Sequence, residues 1–179
     1  LASEHSANRK DMQYYNEAIY CYYLEDYEGA MRAAKQALKL GSIKASYLLI
    51  ELYYDEDSPY RDVEKTISYA KQLFEATKDP ELAFLLGLVY DQQLKDYVKA
   101  VNWYENAERL GHKRVAFYLG RIYYYGLLRT KRDGGKALAY FKKARENGIQ
   151  EAEGYIKDLE DLKGEDLQTA IDKWERAVQ

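Results

Sequence analysis

Residue types that carry out chemistry are present, but their spacing does not bring them together. The two histidines are His5, in a polar opening stretch, and His112, directly after Gly111. Neither has the short spacing to another His or Cys from which a tetrahedral metal site is built, so no metal ligands are expected. Cys21 is the single cysteine. It excludes an intrachain disulfide, leaves the redox compartment open, and on an apolar helical pattern reads as a packed small side chain. Ser3 and Ser6 flank His5 in the polar opening stretch, and neither Cys21 nor any other serine has a histidine close by in sequence. Carboxylates are dense from Glu151 to Asp166, but on a helix face such groups are solvated charges rather than an acid–base pair. Gly134-Gly135-Lys136 lacks the preceding strand and the glycine spacing of a phosphate loop. The expectation is a non-enzyme with no cofactor.

Charge points to surfaces instead. Residues 113–136 hold seven bases, Lys113, Arg114, Arg121, Arg129, Lys131, Arg132 and Lys136, against Asp133 alone. Residues 151–166 hold seven acids against Lys157 and Lys163. These blocks are either two charged partner sites or a solvated surface whose halves offset each other, and the basic hairpin 128–136 is read as solvated surface. The net charge of -3 gives no case for nucleic acid. No apolar run approaches the roughly 20 residues that span a bilayer.

Hydrophobic residues make up 47% of the 179 and charged residues 32%, a balance that suits a folded chain. Tyrosine is over-represented, at 20 against 4 Phe. A tyrosine has an apolar body and a polar tip, so it suits a core edge or a wet groove. Twenty exceed what a core of this size needs, which places some of them at solvent or a ligand.

The elements that must position these tyrosines repeat. Ala30, Thr66, Ala100, Ala137 and Ala170 each open a small-residue helical pattern, at separations of 36, 34, 37 and 33. Upstream of the later anchors, Leu49, Leu86, Leu119 and Ile156 recur, each followed three residues later by Leu52, Val89, Ile122 and Leu159. Apolar residues at i, i+3, i+4 and i+7 mark amphipathic helices, so each unit reads as a helix pair. Gly41, Gly111 and Gly148 follow second helices, where a left-handed residue closes a helix end. Asp79-Pro80-Glu81 reads as a helix start. The expected organisation is a polar leader at 1–10 and a helical repeat domain at 11–179, with units of about 11–41, 42–78, 79–111, 112–148 and 149–179. The fifth unit is degenerate and places Lys157 at the small inter-helix position.

The fourth unit carries a resemblance. Val115-Ala116-Phe117-Tyr118-Leu119-Gly120, Tyr124-Tyr125-Gly126, Asp133-Gly134-Gly135-Lys136-Ala137, Tyr140-Phe141-Lys142-Lys143-Ala144 and Gly148 resemble a Sel1-like repeat, a member of the tetratricopeptide-like helical repeats. The first unit, through Tyr23-Leu24-Glu25-Asp26-Tyr27-Glu28-Gly29-Ala30, is closer to an ordinary tetratricopeptide repeat. Some Sel1-like proteins pair cysteines within each repeat, and this chain lacks them. The resemblance implies an all-α, right-handed superhelical solenoid of about five antiparallel helix pairs, with first helices lining a concave face. It implies no particular partner.

On that face one column reads Tyr15, Tyr47, Phe84 and Phe117, and a second Tyr22, Tyr54, Asp91 and Tyr124. A third is Met12, Lys44, Glu81 and Arg114. The aromatic columns either face a ligand or pack against the neighbouring repeat. The groove set is Tyr15, Tyr22, Tyr47, Tyr54, Phe84, Phe117 and Tyr124, with Lys44, Arg114 and Arg121 selecting charge. At the C-terminus Trp174 and Val178, four apart, either dock onto a partner or a second copy, or belong to a covering helix that frays.

The leading reading is a non-catalytic protein–protein interaction adaptor or scaffold, binding a protein or peptide in the tyrosine-lined groove. The alternative is a structural assembly factor of an envelope or secretion complex, such as one for exopolysaccharide, using its ends and convex face. Glycan recognition is a third reading. The chain opens on Leu1 rather than Met, which fits a processed or trimmed product, and a bacterial periplasm or a cytoplasm suits it equally.

Overall fold

The structure, a computed structural model, describes the backbone of residues 2–162 and 165–179 and the side chains of 9–162 and 168–179. His5, Lys163, Glu165 and Asp166 therefore lie outside the described side chains. Among the described residues the chain is all-helical, with α1 (Ala2–Tyr23), α2 (Tyr27–Lys39), α3 (Ile43–Tyr54), α4 (Val63–Thr77), α5 (Pro80–Leu88), α6 (Tyr97–Arg109), α7 (Val115–Tyr125), α8 (Gly134–Glu146), α9 (Ala152–Glu160) and α10 (Glu165–Val178). The first helix begins inside the stretch read as a polar leader. The helices form two contact units, residues 1–77 and 78–179. In the first, α1 packs on α2, α2 on α3 and α3 on α4. In the second, α5 packs on α6, α6 on α7, α7 on α8 and α8 on α9.

Four second helices start in one way. The carboxylates of Asp26, Asp62, Asp96 and Asp133 accept the backbone N–H three residues on, from Gly29, Lys65, Lys99 and Lys136. Each thereby satisfies a donor that the first helical turn leaves unpaired. The N–H of each aspartate donates back to the preceding helix, to the carbonyls of Cys21, Tyr53, Tyr90 and Tyr123. Loops of different length thus close on one geometry. The aspartates fall four residues before the anchors Ala30, Thr66, Ala100 and Ala137. They are a signal that the small-residue pattern passes over.

The lysine of each of these caps has a second role. Lys65, Lys99 and Lys136 place Nζ 5.4, 5.4 and 5.0 Å from the ring centroids of Tyr53, Tyr90 and Tyr123. The rings are buried and the lysines exposed. Each pair is worth about 0.5–1 kcal/mol at such a site. Helix ends repeat too. Gly41, Gly111 and Gly148 have φ of 88, 91 and 88°. The residue after each, Ser42, His112 and Ile149, donates to the carbonyl of Ala37, Ala107 and Ala144, a closure only a left-handed residue allows.

The apolar positions expected to pack are buried, from Leu49, Leu86, Leu119 and Ile156 to Ala30, Ala100 and Ala137. Volume is exchanged between paired helices. A Cβ on Gly87 would stand 2.4 Å from the Tyr104 ring, and one on Gly120 2.7 Å from the Phe141 ring. In the second pair the corresponding residues are Ile50 and Ala70, both buried. In the fifth, Lys157 stands where the glycines stand and Trp174 where the rings stand.

Two expectations are corrected. Asp91 is not part of an open aromatic column. It lies in a π-helical turn, Val89–Gln93, at the end of α5. Its carboxylate, on a residue 7% exposed, accepts the hydroxyls of Tyr104 at 2.9 Å and Tyr118 at 3.4 Å. A buried carboxylate needs such donors, and the two rings supply them. The basic hairpin is not wholly solvated either. The Arg132 side chain is only 18% exposed and pairs with Asp172 and Glu175 of α10. Arg129 lies 5.5 Å from the Tyr97 ring.

Candidate functional site

In the first unit, α1 carries Tyr15 and Tyr22 and α3 carries Tyr47 and Tyr54, all half-buried. Exposed Lys44 stands with its ammonium 5.7 Å from the Tyr15 ring, so these two groove residues meet across helices. The Tyr22 hydroxyl donates to Asp55 Oδ2 at 2.7 Å, and its ring meets Tyr27 edge-on at 6.0 Å. Burial, then the bond to Asp55, pushes the Tyr22 hydroxyl well above the ordinary tyrosine pKa. Burial followed by the charge of Glu51 raises Tyr54. The Glu51 carboxyl is itself raised, by burial and then by Asp55. This end of the unit combines neutral hydroxyls with acids. Tyr20 and Tyr23, 66% and 78% exposed, were not singled out by the column pattern and are more open than any of the selected tyrosines.

In the second unit the selected residues divide. Phe84 lies against Tyr104 at 5.8 Å and His112 at 4.5 Å. Phe117 lies against Phe141 at 5.8 Å and Tyr155 at 6.0 Å. Both rings therefore join one helix pair to the next. Tyr124 contacts Tyr155 at 5.1 Å and Trp174 at 6.4 Å, and Trp174 also meets Tyr125 at 5.6 Å. The groove candidate Tyr124 and the end candidate Trp174 are thus one cluster. Trp174 is 44% exposed, and Val178 is exposed on the same helix. The Arg121 guanidinium lies 6.0 Å from the Tyr125 ring. Exposed Arg114 precedes α7 and contributes no side-chain cap.

The α7 cap comes instead from His112, which sequence spacing treated only as a non-ligand. It is buried, and its Nδ1 accepts the N–H of Arg114 at 3.3 Å and of Val115 at 3.1 Å. Its other ring nitrogen, Nε2, stands 3.2 Å from Glu81 Oε1. The cap itself is local, two and three residues along the chain, whereas the ring's packing against Phe84 is a tertiary contact. Cys21, expected as a packed small side chain, is half-buried against the core of the first unit, its thiol raised first by burial and then by Asp26. Among the described residues no cluster of three metal-ligating side chains occurs, and no helix is long and apolar enough to cross a membrane.

The Sel1 repeat family model matches residues 67–112 and 114–149, a little under half of the chain. The second segment covers the stretch whose residues carry the resemblance. The chain is also similar to the ERAD-associated E3 ubiquitin-protein ligase component HRD3 of Candida glabrata, at 31% identity over 100 residues. That match covers 54% of this chain and 12% of the relative.

Proposed function

With residues 67–112 and 114–149 being Sel1 repeats, we propose that the chain is a non-catalytic adaptor that holds a partner protein or peptide. The observation that carries this reading is the set of half-buried tyrosines on first helices, Tyr15, Tyr22, Tyr47, Tyr54 and Tyr124, above positions that are fully buried. Such side chains offer flat apolar area and a hydroxyl while losing little conformational freedom on binding. Packed helix pairs present them preformed, which lowers the ordering cost of association. In the first unit Glu51, Asp55 and Glu56 carry charge beside Tyr22 and Tyr54 and favour a partner segment with positive charge. Lys44, Arg114 and Arg121 discriminate at the other exposed positions. Phe84 and Phe117 hold successive pairs together and support the surface from below.

The similarity to a ligase component favours a partner within a multiprotein assembly. A second reading, an assembly factor working through its end, has support in the exposure of Trp174 and Val178 on α10. Affinity capture of partners from the source cell, compared between Tyr15→Ala/Tyr54→Ala and Trp174→Ala, separates the two. Loss in the tyrosine double variant alone supports the groove. Loss in Trp174→Ala alone supports end-on assembly. Capture undiminished in both overturns the site assignment.

A further inference from the structure

The cluster that joins Tyr124 to Trp174 borders a cavity of about 370 Å³, which is also lined by Asp158 and Asp161. We propose that this cavity receives the long cationic side chain, lysine or arginine, of a partner segment. The inference rests on the adaptor reading and names the chemistry of one of its subsites.

Three observations converge. The first is that Trp174 is available. In the third and fourth pairs a glycine lets the ring of Tyr104 or Phe141 sink between the helices, with no room for even a Cβ. In the fifth pair that register position belongs to Lys157, whose side chain is exposed, and Trp174 is 44% exposed. Its face turns instead to α7, inclined 64° to the Tyr124 ring. The second is charge. Asp158 raises the Tyr124 hydroxyl, after burial itself, so its carboxylate is close to that ring. Among the described residues neither Asp158 nor Asp161 pairs with a cation, while Arg132 is already engaged by Asp172 and Glu175. The third is shape. Leu162 and Ile171 supply apolar wall beside the rings, against which a methylene stem can lie while its charged head meets the carboxylates. Two inclined aromatic faces with two unpaired carboxylates attract an alkyl cation by cation–π and Coulomb terms together.

The test is an NMR titration of the intact chain with acetyl-Gly-Lys-Gly-amide, its arginine counterpart and its norleucine counterpart. Two indole signals are followed, from Trp174 and Trp103. The expected result is a saturable shift of the Trp174 signal alone with the lysine or arginine peptide. Asp158→Asn/Asp161→Asn should weaken it about tenfold or more, equivalent to ~1.4 kcal/mol, and added salt should weaken it as well. Both aspartates are exposed, so this variant keeps the fold, which circular dichroism checks. Equal binding of the norleucine peptide, an unchanged affinity in the double asparagine variant, or no saturable shift overturns the proposal. Partner capture retained in a chain that does not bind these peptides sinks this subsite alone. Peptide binding retained with no protein partner captured sinks the adaptor reading.

Discussion

Phe141 lies against Gly120 so closely that a Cβ on the glycine would be 2.7 Å from the ring. Gly87 and Tyr104 stand in the same relation at 2.4 Å. The contact fixes how near α7 and α8 approach, and it forces any added atom to displace a fully buried ring. Gly120→Ala should therefore destabilise the chain by about 1–3 kcal/mol despite the better helix propensity of alanine. Chemical denaturation measures it. A stability equal to or above the parent would show that the helices can separate freely here.

The fifth pair offers the converse. Lys157→Gly places a glycine at the register position that Gly87 and Gly120 hold in the third and fourth pairs. In a Trp103→Phe background, Trp174 emission should move to shorter wavelength as the indole leaves solvent. The expected cost is about 1 kcal/mol for a glycine in α9, offset by the new burial. Unchanged emission would mean that α10 is held away by other contacts.

Those other contacts centre on Arg132. Its two carboxylate partners both lie on α10. Arg132→Ala should raise amide hydrogen exchange in α10 while leaving α7 and α8 protected, with a stability change of about 1 kcal/mol or less because the acids are partly solvated. Equal exchange in parent and variant would show that α10 is anchored by Trp174 without the ion pairs.

The repeated aspartate cap is open to direct test. Asp133→Ala removes the acceptor for the Lys136 N–H and should cost ~1 kcal/mol. Asp133→Asn should retain most of it. Equal loss in the two would assign the effect to charge rather than to the hydrogen bond.

Alkaline pH gives a prediction with a sign. Tyr125 and Tyr140 are pushed up to about 12, mainly by burial, and Tyr104 is pushed higher still by burial and its bond to Asp91. A folded value above the unfolded one of ~10 means the native state resists ionisation. The contribution of these groups is complete below pH ~10 and is lost as pH rises through 12. The exposed tyrosines ionise without unfolding, so it is the last part of the tyrosinate absorbance, as pH approaches 12, that should rise together with loss of helical signal. Full ionisation with the helical signal intact would contradict the burial of these hydroxyls.

The sequence by itself determined the repeat. Helix pairs, buried alanine and leucine positions and the left-handed glycines all follow from local rules, because a period of 3.6 and a steric preference act within a few residues. The aspartate caps were legible on the same terms, at a fixed four residues before each anchor. Tertiary structure decided which aromatic side chains remain open. A half-apolar helix face does not reveal whether its tyrosine meets solvent, a neighbouring ring or a carboxylate 33 residues away, as Tyr22 meets Asp55. Asp91 looks like a surface residue in sequence, and its burial depends on the hydroxyls of Tyr104 and Tyr118 brought by other helices; His112 is buried where the Phe84 ring packs against it. Tyr124 and Trp174 were assigned to different ends of the problem. They share one cluster because α10 sets the indole against the Tyr124 and Tyr125 rings of α7, a contact between residues about 50 apart that no local rule encodes.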